Sequence, residues 1–168
     1  MIKFVFFFLI VLLNYKYAFS RNIGETEITT EDGIEVFQEE KYYLLKKNVE
    51  IVSDEFELNG NLVKIFFEKD LYDIQELIAS TDVNFKSIEY NIKGKGETFK
   101  FNIQNEEINV TGEKSELFLE TTEMFSDGSI TVNNLAGSFS IEGSNSKLIS
   151  DTIYISGSMI NVFKKSFL

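Results

Sequence analysis

Carboxylates are the residues of this chain most able to do chemistry near neutral pH. The 168 residues include 27 Asp and Glu, but no His and no Cys. That composition removes the imidazole base, the thiol nucleophile and nearly all zinc chemistry. A carboxylate pair works as general acid and base only where burial or a neighbour tunes one member. The pairs here are Glu39-Glu40, Asp54-Glu55 and Glu106-Glu107. They sit beside turn signals, where a solvated charge is the default. A calcium loop needs alternating Asp residues ahead of a Gly. Glu31-Asp32-Gly33 and Asp127-Gly128 hold only its end and read as turns. No G-x-x-x-x-G-K-[ST] loop is present to cradle a triphosphate. Asn109-Val110-Thr111 matches a glycosylation sequon, but it falls within a predicted strand and reads as structural. The chemistry points away from an enzyme and calls for no metal and no cofactor.

The elements that would position these residues are strands. The chain has no Pro, so every residue can donate to a ladder. Period-two alternation begins at Ile34 and Val36 and continues through Tyr43 and Leu45, Val49 and Ile51, Phe56 and Leu58, Val63, Ile65 and Phe67. It resumes after a loop at Asp70 to Asp73 with Leu77, Ala79, Val83 and Phe85, then Tyr90 and Ile92, and Phe99, Phe101 and Ile103. Ile108, Val110, Leu117, Leu119, Ile130, Val132, Phe139, Ile141, Leu148, Ile153 and Ile155 carry it to the end. Turn residues intervene at Asn105-Glu106, Asp127-Gly128 and Asn133-Asn134. No window holds a helical period, so the expected class is all-β.

One block recurs. An apolar residue, any residue and a Gly are followed by apolar residues five and often seven positions after the Gly. The copies are Leu58-Asn59-Gly60 with Ile65 and Phe67, Ile92-Lys93-Gly94 with Phe99 and Phe101, Val110-Thr111-Gly112 with Leu117 and Leu119, and Ile141-Glu142-Gly143 with Leu148. An offset of 34 aligns Val49 with Val83, Phe56 with Tyr90 and Gly60 with Gly94; an offset of 31 aligns Gly112 with Gly143 and Ser115 with Ser146. Such repetition stacks one structural unit many times, as a β-solenoid or jelly-roll-like stack. Gly60, Gly94, Gly112 and Gly143 are the expected structural turns, with positive φ or no room for a Cβ at most of them. Asn59-Gly60 in particular reads as a hairpin turn.

The N-terminus reads as a secretory leader over residues 1–20. Lys3 is the basic start, Phe4 to Leu13 the apolar stretch, and Ala18-Phe19-Ser20 a small-residue cleavage site before Arg21. A retained membrane anchor is the alternative. However, Asn14, Tyr15 and Lys16 cut the apolar run short of the roughly 20 residues that spanning needs. The formal charge is −11; Lys3 and Lys16 fall in the leader, which leaves 14 basic against 27 acidic residues from Arg21, near −13. Such a body argues against nucleic-acid partners and against docking on anionic membranes. Residues 21–33 are polar and read as a linker or frayed first strand. The main domain is expected over 34–158, with 159–168 as a tail or edge strand.

At the repeated blocks the chain resembles the OstA-like family, whose members include the LptA bridge protein and the periplasmic part of LptC. The matching residues are Ile34-Glu35-Val36-Phe37, then Lys47-Asn48-Val49-Glu50-Ile51 and Leu58-Asn59-Gly60-Asn61-Leu62, then Thr81-Asp82-Val83-Asn84-Phe85 and Ile92-Lys93-Gly94. Many members place a second Gly before Asn-Val, where Lys47 and Thr81 stand here. The resemblance covers about Ile34 to Gly157. It implies a twisted β-jelly-roll of antiparallel strands in two splayed sheets. It also implies a periplasmic, non-enzymatic role in lipopolysaccharide export, most like the soluble bridge, with the inner-membrane-anchored component of the pathway as the alternative.

Alternation alone points Ile51, Phe56, Leu58, Ile65, Phe67, Phe85, Ile92, Phe99, Phe101, Val110, Leu117, Phe139 and Ile141 inward. A dry sandwich core and an open groove share this pattern; the resemblance implies a groove that meets the acyl chains of lipopolysaccharide or lipid A. An open stack also leaves edge strands. Ile34, Val36 and Phe37 at one end, and Ile153 and Ile155 at the other, are the candidates for strand addition. By resemblance the partners are other domains of the transport bridge, including a head-to-tail copy of this chain. A scaffold that associates with itself and binds no lipid is the reading from another class.

Overall fold

The computed structural model describes residues 21–69 and 73–163. The expected leader and its cleavage site, Asp70 to Tyr72 of the expected loop, and residues 164–168 of the expected tail lie outside the described residues. Within them every element is a strand. These are β1 (Glu27–Thr29), β2 (Ile34–Phe37), β3 (Tyr42–Val52), β4 (Phe56–Phe67), β5 (Ile74–Ser87) and β6 (Ile92–Asn102). After them come β7 (Glu107–Thr111), β8 (Ser115–Leu119), β9 (Thr122–Ser126), β10 (Ser129–Asn133), β11 (Ser138–Ile149) and β12 (Tyr154–Phe163).

All pairings are antiparallel and join into one 12-stranded network. The long strands each run through two layers. One half of β6, Thr98 to Asn102, pairs β7, while the other half, Ile92 to Lys95, pairs β8. β11 divides the same way between β10 and β9. One layer therefore runs β2-β3-β4-β5-β6-β7-β10-β11-β12 and the other β1-β3-β4-β5-β6-β8-β9-β11-β12. The fold is an all-β jelly-roll whose two layers share their long strands.

Each shared strand bends where its register slips: between Lys46 and Val49, Asn59 and Leu62, Ser80 and Val83, and Glu142 and Ser146. A β-bulge adds a residue on one strand and bends it. The extra residue also moves the inward set to the other parity. In β4 the buried apolar side chains are Leu58 before the slip and Val63, Ile65 and Phe67 after it; in β6 they are Ile92 before and Phe99 after. The apolar side chains of both layers meet in a contiguous core that includes Leu45, Leu58, Val63, Ile92, Phe99, Val110, Leu117, Met124, Ile130 and Ile141, each at most 1% exposed.

Three expectations need correction. Asn59-Gly60 is not a hairpin turn: both residues lie inside β4 and pair with Glu50 and Val49 of β3. The chain reverses instead at residues 53–55, where the Ser53 N–H donates to the Phe56 carbonyl (2.7 Å). Gly94 and Gly143 also lie within strands, β6 and β11, and of the four glycines only Gly112 stands at a break between strands. These glycines serve bends and close approaches rather than reversals. Finally, the boundary drawn at residue 158 falls inside β12; β1 lies within residues 21–33, in keeping with the first-strand alternative for that stretch.

Backbone strain marks the bends. Lys47 and Asn48 have φ of 61° and 45°, and Thr81 and Asp82 have φ of 69° and 53°. These are the equivalent pairs of two successive repeats, and Lys47 and Thr81 are the positions where many OstA-like proteins, which this chain resembles, have Gly. At the later bends serines take over. The Ser115 hydroxyl donates to the Gly112 carbonyl (3.0 Å) and the Ser146 hydroxyl to the Gly143 carbonyl (3.2 Å). Both serines are buried, so each polar group is closed off within its own corner.

Candidate functional site

An apolar cavity of about 240 Å³ opens between the layers in the N-terminal half of the stack. Ile28 of β1, Ile51 of β3, and Phe56 and Phe85 at the starts and ends of β4 and β5 form one wall. Ile65, Leu77, Phe99, Phe101 and Ile108 form the other, with Ile74 and Ile103 partly exposed at its lip. A larger hollow of about 400 Å³ lies along the bends, but Asp82, Lys95, Glu97, Glu113 and Lys114 line it, so it cannot shield hydrocarbon.

Aromatic rings build the apolar cavity's walls. Phe85 and Phe99 stand on adjacent paired strands with ring centroids 4.1 Å apart, and Phe56 lies 6.2 Å from Phe99. Phe85 has this space because its cross-strand neighbour is Gly94. A Cβ on Gly94 would come within 2.7 Å of both the Phe85 ring and the Glu116 carbonyl oxygen. Tyr90 reaches from the loop after β5 to an edge-on contact with Phe101, 6.4 Å between centroids. That contact joins the two layers at the rim.

Of the residues expected to point inward, Ile51, Phe56, Ile65, Phe85, Phe99 and Phe101 line the cavity. Leu58, Ile92, Val110, Leu117 and Ile141 do not; they are sealed in the core at 0–1% exposure. Phe67 is buried away from it, and Phe139 packs against the core. The closed part of the stack is therefore a dry sandwich. The open part belongs to β1 and β3 to β7. Sequence reasoning missed Ile28, Ile74, Leu77, Tyr90, Ile103 and Ile108 as wall residues. Ile28 was hidden by its polar surroundings in residues 21–33, although a three-residue alternation, Thr26, Ile28 and Thr30, was there to read.

The candidate edge residues sit where edges exist. β2 pairs only with β3, β1 only with β3, and β12 only with β11, among the described residues. Ile34, Val36, Ile153 and Ile155 are exposed apolar residues there, and Phe37 stacks on Tyr42 at 4.6 Å. Tyr154, Met159 and Phe163 add further exposed apolar surface on β12. Ile153 itself lies in the turn before β12, where its N–H donates to the Ser150 carbonyl (3.4 Å).

Carboxylates do not converge. Among the described residues no group of three or more is placed to hold a metal ion. Asp54 is held below the usual carboxylate range by the Gly24 N–H and the Arg21 guanidinium, and Asp127 by the Asn145 backbone and side-chain amides. Both anchor loops. Asn109 of the sequon is half-buried, and its amide donates to the Thr131 hydroxyl across the β7–β10 pair (2.7 Å).

No protein-family description and no curated protein sequence matches this chain. Solved structures do. The fold is similar to that of LptH from Pseudomonas aeruginosa, the LptA-homologous periplasmic component of the conserved lipopolysaccharide transport device. The TM-score is 0.60 at 10% identity, over 84% of this chain and 96% of that one. The architecture is thus shared nearly end to end. At so low an identity the likeness speaks to the fold alone.

Proposed function

We propose that this protein is a non-enzymatic, periplasmic lipid-binding bridge in lipopolysaccharide export, reached through a cleaved leader. The observation that carries the reading is the apolar cavity between the two layers of a fold similar to that of LptH. Its walls are rings and aliphatic side chains, and its lip is open. Each methylene moved from water into it gains about 0.8 kcal/mol. Its volume lies just below the roughly 300–1,000 Å³ of drug-sized sites, so it shields part of an acyl chain rather than a whole lipid. Passage of a longer cargo then requires adjoining subunits that continue the groove, and the unpaired edges β1, β2 and β12 supply the surfaces for that. Movement would draw its energy from another component.

Native mass spectrometry of the protein from its own envelope tests this reading. The expected result is a chain that begins at Arg21 with a co-purifying lipid. A full-length chain recovered only from the inner membrane favours the anchored component instead. In parallel, a folded Phe101→Asp variant should lose cross-linking to lipopolysaccharide, since the charge would stand in the cavity wall. Undiminished cross-linking in that variant counts against lipid carriage and leaves the self-associating scaffold.

A further inference from the structure

The cavity's walls decide that a hydrocarbon chain enters; its rim decides what can be attached to that chain. A cavity this small leaves the head group of a lipid outside, at the lip. Among the described residues lining it, the charged ones are Glu55 and Glu89, with no Lys or Arg beside them. Both are exposed and belong to the loops that join β3 to β4 and β5 to β6. The Ile88 N–H donates to the Glu55 carbonyl (2.8 Å), which holds the two loops side by side. Glu106 follows β6 in the opposing row of loops. Its field reaches the same place: the Tyr90 phenol is pushed above its ordinary value by burial first, then by the charges of Glu89, Glu106 and Glu55. The Arg21 guanidinium is paired with Asp54, next to Glu55, and so does not offset the rim. Among the described residues no group of three or more carboxylates is placed to hold a divalent ion that could bridge an anionic head group.

We infer, building on the carrier reading above, that this groove selects the acyl chain of a lipid whose head group carries no net negative charge. A lipid A-type cargo is then accepted with its phosphates removed or masked by amines. Two or three carboxylates within a Debye length of an anionic head disfavour it by about tenfold at low ionic strength.

Titration calorimetry on the mature chain tests this with lysophosphatidylcholine and lysophosphatidylglycerol carrying the same myristoyl chain. The choline lipid should bind about tenfold tighter at low salt, and the gap should close as ionic strength rises. A Glu55→Gln/Glu89→Gln double variant should close it at low salt; both sites are exposed, and circular dichroism confirms that the variant is folded. Lipid A with and without its phosphates should rank in the same direction. Equal or tighter binding of the glycerol lipid by wild type overturns the selectivity while leaving lipid carriage intact. A gap unchanged in the double variant overturns its assignment to these carboxylates, for which Glu106→Gln is the second check. Failure of every lipid to bind overturns both this inference and the carrier reading.

Discussion

Single residues here separate two uses of glycine that look alike in the sequence. Gly60 and Gly94 occupy the same place in successive repeats. A Cβ on Gly60 would meet Ala79 and Val83 at 3.6 Å, ordinary contact, whereas one on Gly94 would press into the Glu116 carbonyl and the Phe85 ring. Gly60→Ala should therefore be neutral or stabilise by up to about 1 kcal/mol, from reduced unfolded-state entropy. Gly94→Ala should destabilise by about 1–3 kcal/mol, because a carbonyl oxygen cannot move aside as a side chain can. Urea unfolding of the two variants checks the pair, and equal effects would show that the repeat imposes one role on both. The opposite substitution applies at the strained bend. Thr81 is β-branched, exposed and held at φ 69°. Left-handed backbone costs an L-residue about 1–2 kcal/mol and Gly loses about 0.5–1 kcal/mol to entropy, so Thr81→Gly should gain up to about 1.5 kcal/mol. A lower urea midpoint for Thr81→Gly would mean that the bend is not strained at that residue.

At the scale of elements, the repeat was legible but its meaning was not. Residues on one face of a strand are an even number of positions apart. The spacing from Gly60 to Ile65, or from Gly94 to Phe99, is odd, and a buried residue on both sides of an odd interval requires an extra residue between them. A hairpin turn and a bulge both provide one. The Asn59-Gly60 dipeptide favoured the turn, and the structure has the bulge, because β3 and β5 flank β4 through both halves and hold it as one strand. Strand existence was readable from alternation; strand continuity depended on neighbours far away in sequence. The cavity was half legible for the same reason. Alternation finds inward residues, but only packing across the layers decides which of them are sealed, as Leu117 is, and which meet a hollow, as Phe101 does. The bend of β11 shows what such a corner needs. The Asp127 carboxylate accepts from the Asn145 backbone N–H (3.0 Å) and side-chain amide (2.7 Å), and the Ser126 hydroxyl donates to the Glu142 carbonyl (2.6 Å). These bonds favour the ionised carboxylate, so its folded-state pKa lies below the ordinary value. The sign follows: this contribution to stability is present above the unfolded pKa, near 4, and is lost as pH falls through the lowered folded value. NMR titration should find the Asp127 midpoint below that of an exposed Asp, and Asn145→Ala should raise it. A midpoint that does not move in Asn145→Ala would remove the corner's role.

At the scale of the whole molecule, among the described residues both layers end in strands paired on one side only, and the two ends differ. The N-terminal end offers β1 and β2, short strands with Ile34 and Val36 exposed. The C-terminal end offers β12, ten residues long, with Tyr154, Met159 and Phe163 exposed. Two unlike edges make a heterologous contact, which propagates as a chain rather than closing as a dimer. Each joint would rest on backbone hydrogen bonds with net values of about 1 kcal/mol apiece, plus the apolar residues of the two edges. Against it stands the repulsion between copies whose residues 21–168 each carry a charge near −13. Association should therefore be modest, should rise with concentration, and should strengthen as salt screens like charges. Val36→Pro should abolish it, since Pro removes a donor and the flat pairing surface from β2. That residue is exposed on an edge, so its loss to Pro should leave the core intact, and circular dichroism checks this. Light scattering of wild type and Val36→Pro across a concentration and salt series decides the matter. A strictly monomeric wild type, or a closed dimer indifferent to the substitution, would leave a lone domain, lipid carrier or scaffold; chains that lengthen with salt and vanish in Val36→Pro would give the cavity a route from one subunit to the next.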